Sequence, residues 1–354
     1  MNAALLTVGE QFAAGHAIQT ISPLGNGLIN DTYLIATADD SFVLQRINPK
    51  VFPEPHRVIH NLGQLAKHLK QKPTGSVRLK IPELLPAGDG QGFYQYDQQQ
   101  LWRALELIHP AESREHISND AEAAQVGSAL GHFHQLCSDL PVDALLDTLP
   151  GFHVTPDYFQ HYQQLLRQPL RVVKGAEFQA CQAFIQAHQT QIHLLESAKQ
   201  RGELLSRVIH GDPKLNNFLF KPDTDQIVSL IDLDTVKPGL VHYDIGDCLR
   251  SSCHDKQTNQ FNLARCQIIL QHYVQEAGGF LRTTDYDYLY AAIWLIPFEL
   301  GLRFFSDYLD GNHYFRVNHP RHNLDRALAQ FALCSSIQAQ QSALQDCILQ
   351  LRRI

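Results

Sequence analysis

The sequence predicts an α+β fold in two lobes, a small antiparallel β-rich lobe followed by a larger, mainly helical one. Within the first hundred residues, short β-branched and aromatic runs alternate with turn residues, which is typical of strands. After Pro110 the apolar residues recur at helical spacing instead. A length of 354 residues suggests two domains or one fold with two lobes. We therefore expect an N-terminal lobe over residues 1–105, a hinge over 106–110 and a C-terminal lobe over 111–354.

The N-terminal lobe should contain an antiparallel sheet and one helix. The helix begins near Pro53 and Glu54, carries apolar residues at helical spacing as far as Leu69 and is broken at Pro73. The sheet is predicted from six runs that are rich in strand-forming residues. These strands are expected over residues 21–24, 32–37, 41–47, 78–81, 92–96 and 101–108.

The C-terminal lobe should be built from helices around one small island of strands. Asn119 followed by Glu122 resembles a capping box, so a helix is expected from there to about Leu140. Further helices are predicted near residues 155–168, 175–200, 257–277, 284–309 and 320–350. The island comprises short strands that are predicted over residues 207–210, 217–220 and 226–231.

Composition and charge exclude several classes of protein. The formal net charge is −7, so the chain lacks the basic footprint of a general nucleic-acid binder. The most apolar window, residues 291–302, is broken by Pro297 and Glu299, so we expect no membrane-spanning helix. The first nine residues lack the features of a signal peptide, and the seven cysteines are scattered. These features favour a cytoplasmic protein with reduced, buried thiols, and they leave its oligomeric state open.

The strongest functional signal lies in the strand island, in the segment HGDPKLNN from His210 to Asn217. Its polar side chains lie on a short loop between two apolar strands, and Asp212 precedes Asn217 by five residues. A carboxylate there can face an acceptor hydroxyl while an amide oxygen faces a metal ion. About fifteen residues later, a strand ending in IDLD presents Asp232 and Asp234. Their two carboxylates share one side if the backbone is extended.

The order of these residues matches the chemistry of phosphoryl transfer. A base aspartate, an asparagine five residues later and a further metal-binding aspartate form the catalytic set of protein kinases. The alternative is a hairpin with Asp- and Asn-rich turns, and the second acidic strand end at the expected distance argues against it. Because carboxylates and a triphosphate repel one another, this set implies Mg²⁺ together with ATP.

A glycine-containing segment, GNGLINDTY from Gly25 to Tyr33, separates the first two strands. The backbone around Gly25, Gly27 and Asn30 can close over the phosphates of a nucleotide. Asn-Gly is equally common in a plain hairpin turn, so the segment alone does not separate the two readings. With the downstream acidic motifs, nucleotide binding becomes the better interpretation.

These segments resemble the aminoglycoside phosphotransferase/choline kinase superfamily, whose members are small-molecule kinases with a protein-kinase-like fold. That resemblance is carried by HGDPKLNN at 210–217 and IDLDTVKPGLVHYDIGD at 231–247. More narrowly, several other segments are similar to N-acetylhexosamine 1-kinases. These are GLINDTY at 27–33, FVLQRIN at 42–48, VFP at 51–53, PGFH at 150–153 and GLRFFSDYLDGNHYF at 301–315.

In the catalytic segments, the resemblance implies a role for each matching residue. Asp212 would be the base that orients and deprotonates the acceptor hydroxyl. Lys214 would support this base or the transferring phosphate. Asn217 and Asp232 would hold the metal ions. Asp234 would help to hold metal or substrate, or would only cap a turn.

Outside those segments, the resemblance implies contacts with both substrates. The backbone of Glu106 and Ile108 would meet adenine at the hinge. Arg303 and Tyr314 lie where the sugar kinases place contacts with the acceptor. Asp244 would be a structural carboxylate near a helix start that hydrogen-bonds the catalytic loop.

The third strand departs from the protein-kinase pattern, which requires a phosphate-binding lysine there and a glutamate on the following helix. The strand offers Gln45 and Arg46, with no lysine before Lys50. The helix has Glu54 near its start and no acidic residue afterwards through Lys72. Arg46 can grip phosphate oxygens bidentately, but which residue holds the phosphates stays open at this point.

The acceptor is predicted from the residues around Arg303. The segment from Trp294 to Phe315 contains seven aromatic residues, this arginine and three acidic residues. Such surroundings suit a neutral sugar with an acetamido group or a quaternary amine, whereas a polycationic aminoglycoside requires a more acidic pocket. The resemblance favours the 1-hydroxyl of N-acetylglucosamine or N-acetylgalactosamine. The alternatives are a kinase of another small alcohol, such as an aminoglycoside, choline or homoserine, and a catalytically inactive nucleotide-binding protein.

Overall fold

Two lobes, one built on an antiparallel sheet and the other mainly on helices, form a protein-kinase-like fold. The computed structural model describes residues 3–25, 29–98, 100–169 and 175–353. Six strands form the sheet of the first lobe, and most of the helices belong to the second. The fold class predicted from the sequence is confirmed.

The N-terminal sheet presents two chemically different faces. Its strands are β1 (Ile18–Pro23), β2 (Asp31–Thr37), β3 (Ser41–Arg46), β4 (Leu84–Leu85), β5 (Tyr94–Asp97) and β6 (Gln100–Glu106). They pair in the order β1–β2–β3–β6–β4, and β5 pairs with β6. Leu44 lies opposite Ala104, and Gln45 lies opposite Arg103. Because side chains alternate along a strand, the first pair is on one face of the sheet and the second pair on the other.

Helix α1 (Ala3–Glu10) covers one of these faces, and the sequence did not predict it. Val8 and Phe12 pack there with Leu44 and Ala104 in a small apolar core. The face that carries Gln45 is therefore turned toward the second lobe. This arrangement decides which polar side chains of the sheet can reach the space between the lobes.

One predicted strand is wrong, and its place in the sheet is taken by another segment. Residues 78–81 do not join the sheet, and Leu84–Leu85 pairs with β6 instead. The Lys80 backbone N–H donates to the Val228 carbonyl at 2.8 Å, and the Ser229 hydroxyl donates to the Lys80 carbonyl at 2.6 Å. The segment therefore pairs with the second lobe, which local sequence preference does not reveal.

Helix α2 (Pro55–Lys70) belongs to the N-terminal lobe but packs into the core of the other lobe. Its buried residues Val58, Leu62 and Leu65 contact the main apolar cluster of the C-terminal lobe. Asn61 on the same face donates to the Val236 carbonyl at 2.8 Å. The two lobes are thus joined by a shared core.

The C-terminal lobe holds the remaining described elements. Its helices are α3 (Asp120–Cys137), α4 (Thr155–Leu166), α5 (Ala176–His188), α6 (Leu194–Gln200), α7 (Val241–Cys253), α8 (Leu263–Ala277), α9 (Thr283–Asp287), α10 (Leu289–Leu309), α11 (His322–Ala339) and α12 (Gln341–Leu351). Its strands are β7 (Glu112–Ser113), β8 (Arg207–Ile209), β9 (Phe218–Phe220), β10 (Ile227–Leu230), β11 (Lys237–Gly239), β12 (His254–Asp255) and β13 (Gln260–Phe261). The predicted helices near 175–200, 284–309 and 320–350 are each divided in two. The Asn119 side chain caps α3 by accepting from the Glu122 N–H at 2.9 Å, as predicted. The Glu122 carboxylate accepts the Ser118 N–H at 2.7 Å instead of the Asn119 N–H, so the reciprocal bond of a capping box is not formed.

Helix α10 is the centre of this lobe. In the described part of the chain it is the one helix that is long and apolar enough to cross a membrane, yet 72% of its apolar window is buried inside the protein. Pro297 and Glu299 lie within it, as the sequence indicated. A helix surrounded by other helices is expected to be apolar on most sides. All seven cysteines are free and buried, which confirms the expectation for the thiols.

Candidate active site

The predicted catalytic loop connects β8 to β9 and turns at a glycine that no other residue can replace without strain. Gly211 has a φ of +89°, and a Cβ atom added there would lie 2.6 Å from the Thr235 carbonyl oxygen. Only glycine combines this backbone with so close an approach. The turn places Asp212 directly after it, at the end of a buried strand.

Asp244, at the start of α7, holds this loop in place. Its two carboxylate oxygens accept the backbone N–H groups of His210 at 2.7 Å and Gly211 at 2.8 Å. His134 Nε2 lies 2.8 Å from the same carboxylate, inside the protein. The structural role expected for Asp244 is confirmed, because its oxygens are used by the loop backbone.

Lys214 brings the two aspartates of the site together. Its ammonium forms an ion pair with Asp212 and lies 3.7 Å from a carboxylate oxygen of Asp232. Burial raises the pKa of Asp212 to about 6, and the charges of Asp247 and Asp232 act in the same direction, whereas Lys214 opposes them. Burial alone would lower the pKa of Lys214, but the neighbouring Asp212 and Asp232 raise it. Asp212 is therefore a stronger base than an ordinary aspartate and is still largely ionised at neutral pH.

The residues expected to hold Mg²⁺ fit a hard cation. The Asn217 amide nitrogen donates to the Asp212 carbonyl at 2.7 Å, which leaves its Oδ1 atom without a donor among the described residues. The side chain of Asp232 is 43% exposed. One carboxylate and one amide oxygen suit Mg²⁺, which usually completes its coordination with phosphate and water. No group of three or more His, Cys, Asp or Glu residues that could enclose a metal is found in the described ranges.

Asp232 and Asp234 do not share one side, which corrects the prediction made from an extended backbone. Asp232 has a left-handed backbone, with φ +65°, and Leu233–Thr235 forms a 3-10 turn. Asp234 is consequently buried, and both of its oxygens are occupied by side chains of the N-terminal lobe. Asn30 Nδ2 donates to one oxygen at 2.7 Å, and Arg103 forms an ion pair with the other. The hydrogen bonds of Asp234 therefore join the lobes, and a contact with metal or substrate stays a prediction.

The predicted nucleotide-binding residues are divided between the two faces of the sheet. Asn30 reaches the second lobe through Asp234, and its Oδ1 accepts the Asn48 backbone N–H at 3.0 Å. Arg46 lies on the face opposite Gln45, forms an exposed ion pair with Asp31 and is 6.0 Å from the Trp102 ring. Arg46 is thus turned away from the space between the lobes, because neighbouring strand residues face opposite sides.

The remaining predicted nucleotide contacts lie at the loop before β2 and at the hinge. Gly25 has a left-handed backbone, with φ +70°, and Gly27 lies outside the described residues. Glu106 ends β6, and its backbone N–H donates to the Glu83 carbonyl at 3.0 Å. Ile108 is buried in the connector, and no hydrogen bond of its backbone is seen within the described part of the chain. Within the described residues, the backbone of Ile108 is therefore without an intramolecular hydrogen bond, whereas that of Glu106 is engaged in the sheet.

Four aromatic rings surround the guanidinium of Arg303 on α10. Its central carbon is 5.0 Å from the ring centroid of Tyr158, 5.1 Å from Phe152, 5.5 Å from Phe315 and 5.8 Å from Tyr314. Burial alone would lower the pKa of this arginine, but neighbouring groups that include Asp212 raise it. Arg303 therefore lies over a set of rings that includes Phe152, whose neighbour His153 bonds the Gly211 carbonyl, one residue before the predicted base.

The acidic residues near Arg303 are already occupied. Glu299 bonds His153 Nδ1 at 3.0 Å and the Thr155 hydroxyl at 2.9 Å. Asp307 accepts the backbone N–H groups of Tyr314 at 2.8 Å and Phe315 at 2.9 Å. The bonds of Asp307 fix the backbone of two of the aromatic residues, and both carboxylates are already hydrogen-bonded to protein groups.

His153 links α10 to the catalytic loop, and the sequence analysis did not identify it. Its Nε2 atom lies 2.8 Å from the Gly211 carbonyl, and its Nδ1 atom faces Glu299. Both neighbours can only accept hydrogen bonds, so both ring nitrogens must carry protons. Burial alone would lower the pKa of His153, but Glu299 raises it above the ordinary value.

Arg103 is the second residue that the sequence analysis missed. It occupies the centre of the apolar strand LWRALELI and is 1% exposed. A charged residue in the middle of such a strand requires a buried partner, which is a signal that the sequence does contain. Its partner Asp234 is 131 residues away, so the pair becomes visible only in the folded chain.

Comparisons with solved structures agree with this architecture. The chain is 18% identical to a microcompartment-associated aminopropanol kinase, with a TM-score of 0.67 over 96% of this chain and 98% of that one. An aminoglycoside phosphotransferase from Alicyclobacillus acidocaldarius is 16% identical, with a TM-score of 0.63 over 95% and 96%. A spectinomycin phosphotransferase in complex with ADP and spectinomycin is 13% identical, with a TM-score of 0.58 over 92% and 94%. The TM-scores show that these proteins share a fold with this chain, and at identities this low they show the fold alone.

A family model extends the likeness from fold to sequence. The model of the phosphotransferase enzyme family matches residues 20–273, which include the catalytic loop, Asn217 and Asp232. The match covers well over half of the chain, and it contains the loop that Asp244 holds in place. The chain therefore belongs to the phosphotransferase enzyme family.

Proposed function

We propose that this phosphotransferase is an ATP-dependent kinase that transfers the γ-phosphoryl group to the anomeric 1-hydroxyl of an N-acetylhexosamine. The observation that carries the proposal is the convergence of Asp212, Lys214 and Asp232 at the catalytic loop. Arg303 contacts Phe152, and the next residue, His153, bonds the carbonyl of Gly211 in this loop. The spectinomycin phosphotransferase of the same fold binds ADP, which supports a nucleotide as the phosphoryl donor.

Asp212 acts as the general base of the reaction. Its carboxylate accepts the proton of the sugar hydroxyl as the hydroxyl oxygen bonds to the γ-phosphorus and the bond to the bridging β–γ oxygen breaks. Its raised pKa of about 6 suits this task, since a base is most effective when its pKa lies near the working pH. Lys214 offsets the negative charge of Asp212 and Asp232 while substrate binds.

Asn217 and Asp232 would hold Mg²⁺ together with oxygens of the triphosphate. When bound there, the ion supplies positive charge that neutralises the donor phosphates. The hydrogen bond from Asn217 Nδ2 to the Asp212 carbonyl fixes the amide so that only its oxygen is available.

The acceptor side favours a neutral sugar over a cationic amine. Arg303 brings a positive charge to the site, and the four rings that could receive a quaternary amine already surround its guanidinium. Glu299 and Asp307, which could pair with an amine, are bonded to protein groups. An acetamido carbonyl can accept a hydrogen bond from the guanidinium edge, whereas an ammonium group would be repelled. Tyr314 is 52% exposed and offers a ring against which a sugar can stack.

A panel of acceptors tests the proposal. We would measure ADP release with MgATP and N-acetylglucosamine, N-acetylgalactosamine, glucose, choline, ethanolamine, homoserine and kanamycin. The highest kcat/KM is expected for an N-acetylhexosamine, with values at least roughly tenfold lower for the amines, which corresponds to one unfavourable charged contact. A 1-phosphate product has no reducing end, so a reducing-sugar assay separates it from phosphorylation at another hydroxyl.

Two results would contradict the proposal in different ways. Turnover of choline or kanamycin without turnover of N-acetylhexosamines would replace the acceptor but keep the kinase. Binding of MgATP with no turnover of any acceptor would indicate an inactive nucleotide-binding protein.

Arg303→Lys keeps the charge but loses the planar group, so it should raise KM for the sugar while KM for ATP stays unchanged.

A further inference from the structure

The missing lysine of strand β3 leaves the phosphates of a nucleotide without their usual fixed cation. Gln45 occupies the face of β3 that is turned toward the second lobe, and its cross-strand neighbour is Arg103 on β6. A cation on the neighbouring strand can therefore reach the same side of the sheet. Arg46, the other candidate, lies on the opposite face.

The side chain of Arg103 is held by two acceptors. Its Nε and Nη2 atoms donate to Gln45 Oε1 at 3.0 and 2.7 Å, and Nη2 also forms an ion pair with Asp234. The Gln45 amide nitrogen donates to the Thr32 hydroxyl at 3.1 Å, which turns the amide oxygen toward Arg103. The orientation of the guanidinium is thus fixed before any ligand binds.

One end of the guanidinium has no partner. Arg103 Nη1 is buried and makes no hydrogen bond to any described residue, although the rest of the group is fully bonded. A buried donor on a charged group that lacks a partner costs more than about 1–3 kcal/mol, so a ligand that completes its hydrogen bonding is stabilised there. The two N–H bonds of Nη1 can donate hydrogen bonds to the oxygens of a phosphate.

The guanidinium of Arg103 lies near the expected phosphate site. Arg103 is paired with Asp234, and Asp234 follows the proposed metal ligand Asp232 by two residues. Two residues span at most roughly 7 Å of chain. Asn30, from the segment expected to cover the phosphates, bonds the same carboxylate of Asp234 at 2.7 Å.

We propose that Arg103 supplies the phosphate-binding cation in place of a lysine on strand three, with Asp234 and Gln45 as the residues that position it. This inference rests on the proposed nucleotide-dependent function. The Nη1 group bonds an α- or β-phosphate oxygen of the donor nucleotide, while Asp234 plays the part that a helix glutamate plays in protein kinases.

Binding of nucleotides with and without phosphates tests this role. Dissociation constants of MgATP, MgADP and adenosine are measured by calorimetry or competition for the wild type and for Arg103→Met. We expect MgATP and MgADP to bind roughly 10- to 100-fold more weakly to the variant, as the loss of a charged hydrogen bond requires, and adenosine to change less than about twofold. Arg201→Met, which removes an exposed arginine that is paired with Glu203, serves as the matched control.

Arg103→Met leaves the buried Asp234 carboxylate unpaired, so this variant can fail to fold. A second variant without the unpaired charge keeps the role of Arg103 testable. Arg103→Met combined with Asp234→Leu removes both charges and keeps similar volumes, and this exchange is tolerated for many buried ion pairs. It should show the same selective loss of phosphate affinity. Adding Gln45→Lys to this variant should recover part of the loss, since it restores a cation on the same face.

Each other outcome has a distinct meaning. Unchanged MgADP affinity, or an equal loss for MgADP and adenosine in the folded double variant, overturns the role of Arg103. A selective loss in Arg46→Met instead would transfer the role to Arg46. A wild type that binds no nucleotide overturns the proposed function, and with it this inference.

Discussion

Asp212 combines burial with a nearby cation, and this combination sets its chemistry. Its side chain is 24% exposed, and Lys214 keeps it paired. The carboxylate is therefore a stronger base than it would be in water, yet it is not neutralised. A substitution that removes the basicity of Asp212 but keeps its shape should therefore lower the rate of catalysis without weakening ATP binding.

Asp212→Asn should lower kcat by roughly 10²- to 10⁴-fold and leave KM for ATP nearly unchanged, because the amide keeps the shape but cannot accept the proton. Steady-state ADP release measures both constants. Asp346→Asn, an exposed carboxylate on α12, is the control. Full activity of Asp212→Asn would remove Asp212 from the chemistry.

The charge of His153 should make the stability of the fold depend on pH in the alkaline range. Its folded pKa lies above the ordinary value, so its protonated form stabilises the fold fully below about pH 6.5. This stabilisation is lost as the pH rises through the folded pKa. His153→Gln should therefore flatten the alkaline decline of the free energy of unfolding, as measured by denaturant titrations at several pH values.

The control for this experiment is His116→Gln, at an exposed position of the C-terminal lobe. If the free energy of unfolding changes with pH in the same way in the wild type and in His153→Gln, His153 is not charged in the folded protein.

At the scale of elements, the catalytic loop depends on one glycine. Gly211 and Gly75 share a left-handed backbone, with φ values of +89° and +82°, but only Gly211 is crowded by Thr235. Alanine at position 75 introduces backbone strain alone, whereas alanine at position 211 introduces the same strain and a steric clash with Thr235.

Gly211→Ala should destabilise the protein by more than Gly75→Ala, with the first above roughly 3 kcal/mol and the second near 1 kcal/mol. Urea unfolding measures the difference. Gly211→Ala should also reduce kcat, because relief of the clash moves Asp212. Equal effects of the two substitutions would mean that the loop can shift freely.

At the scale of the whole molecule, α2 makes the N-terminal lobe depend on the C-terminal core. Asn61 donates to the carbonyls of Leu146 at 2.7 Å and Val236 at 2.8 Å, and it accepts the Leu146 N–H at 2.9 Å. These bonds cross between segments that lie far apart in sequence.

Asn61→Ala should destabilise the protein by about 2–4 kcal/mol, because it leaves buried backbone groups unpaired. Unfolding should remain a single transition in both calorimetry and fluorescence, since the lobes share one core. Gln64→Ala, on the same helix and without a side-chain hydrogen bond among the described residues, should change stability by less than about 0.5 kcal/mol. Two separate transitions would show that the lobes fold independently.

The sequence by itself determined the order of the lobes, most of the helices and the catalytic loop. Patterns of apolar residues report local structure, and Asp212 and Asn217 lie five residues apart in one turn, so their meeting needs no tertiary information. The strand predicted over residues 78–81 shows the limit of that reasoning, since its pairing partners lie in the other lobe.

Only the tertiary structure decided which residues of the two lobes contact each other. It separated Asp232 from Asp234 through a left-handed residue, and it paired Asp234 with Arg103 across 131 residues. It also placed Arg46 on the outer face of the sheet. These outcomes depend on contacts between segments distant in sequence, whose partners are selected by the packing of the whole chain rather than by local preference.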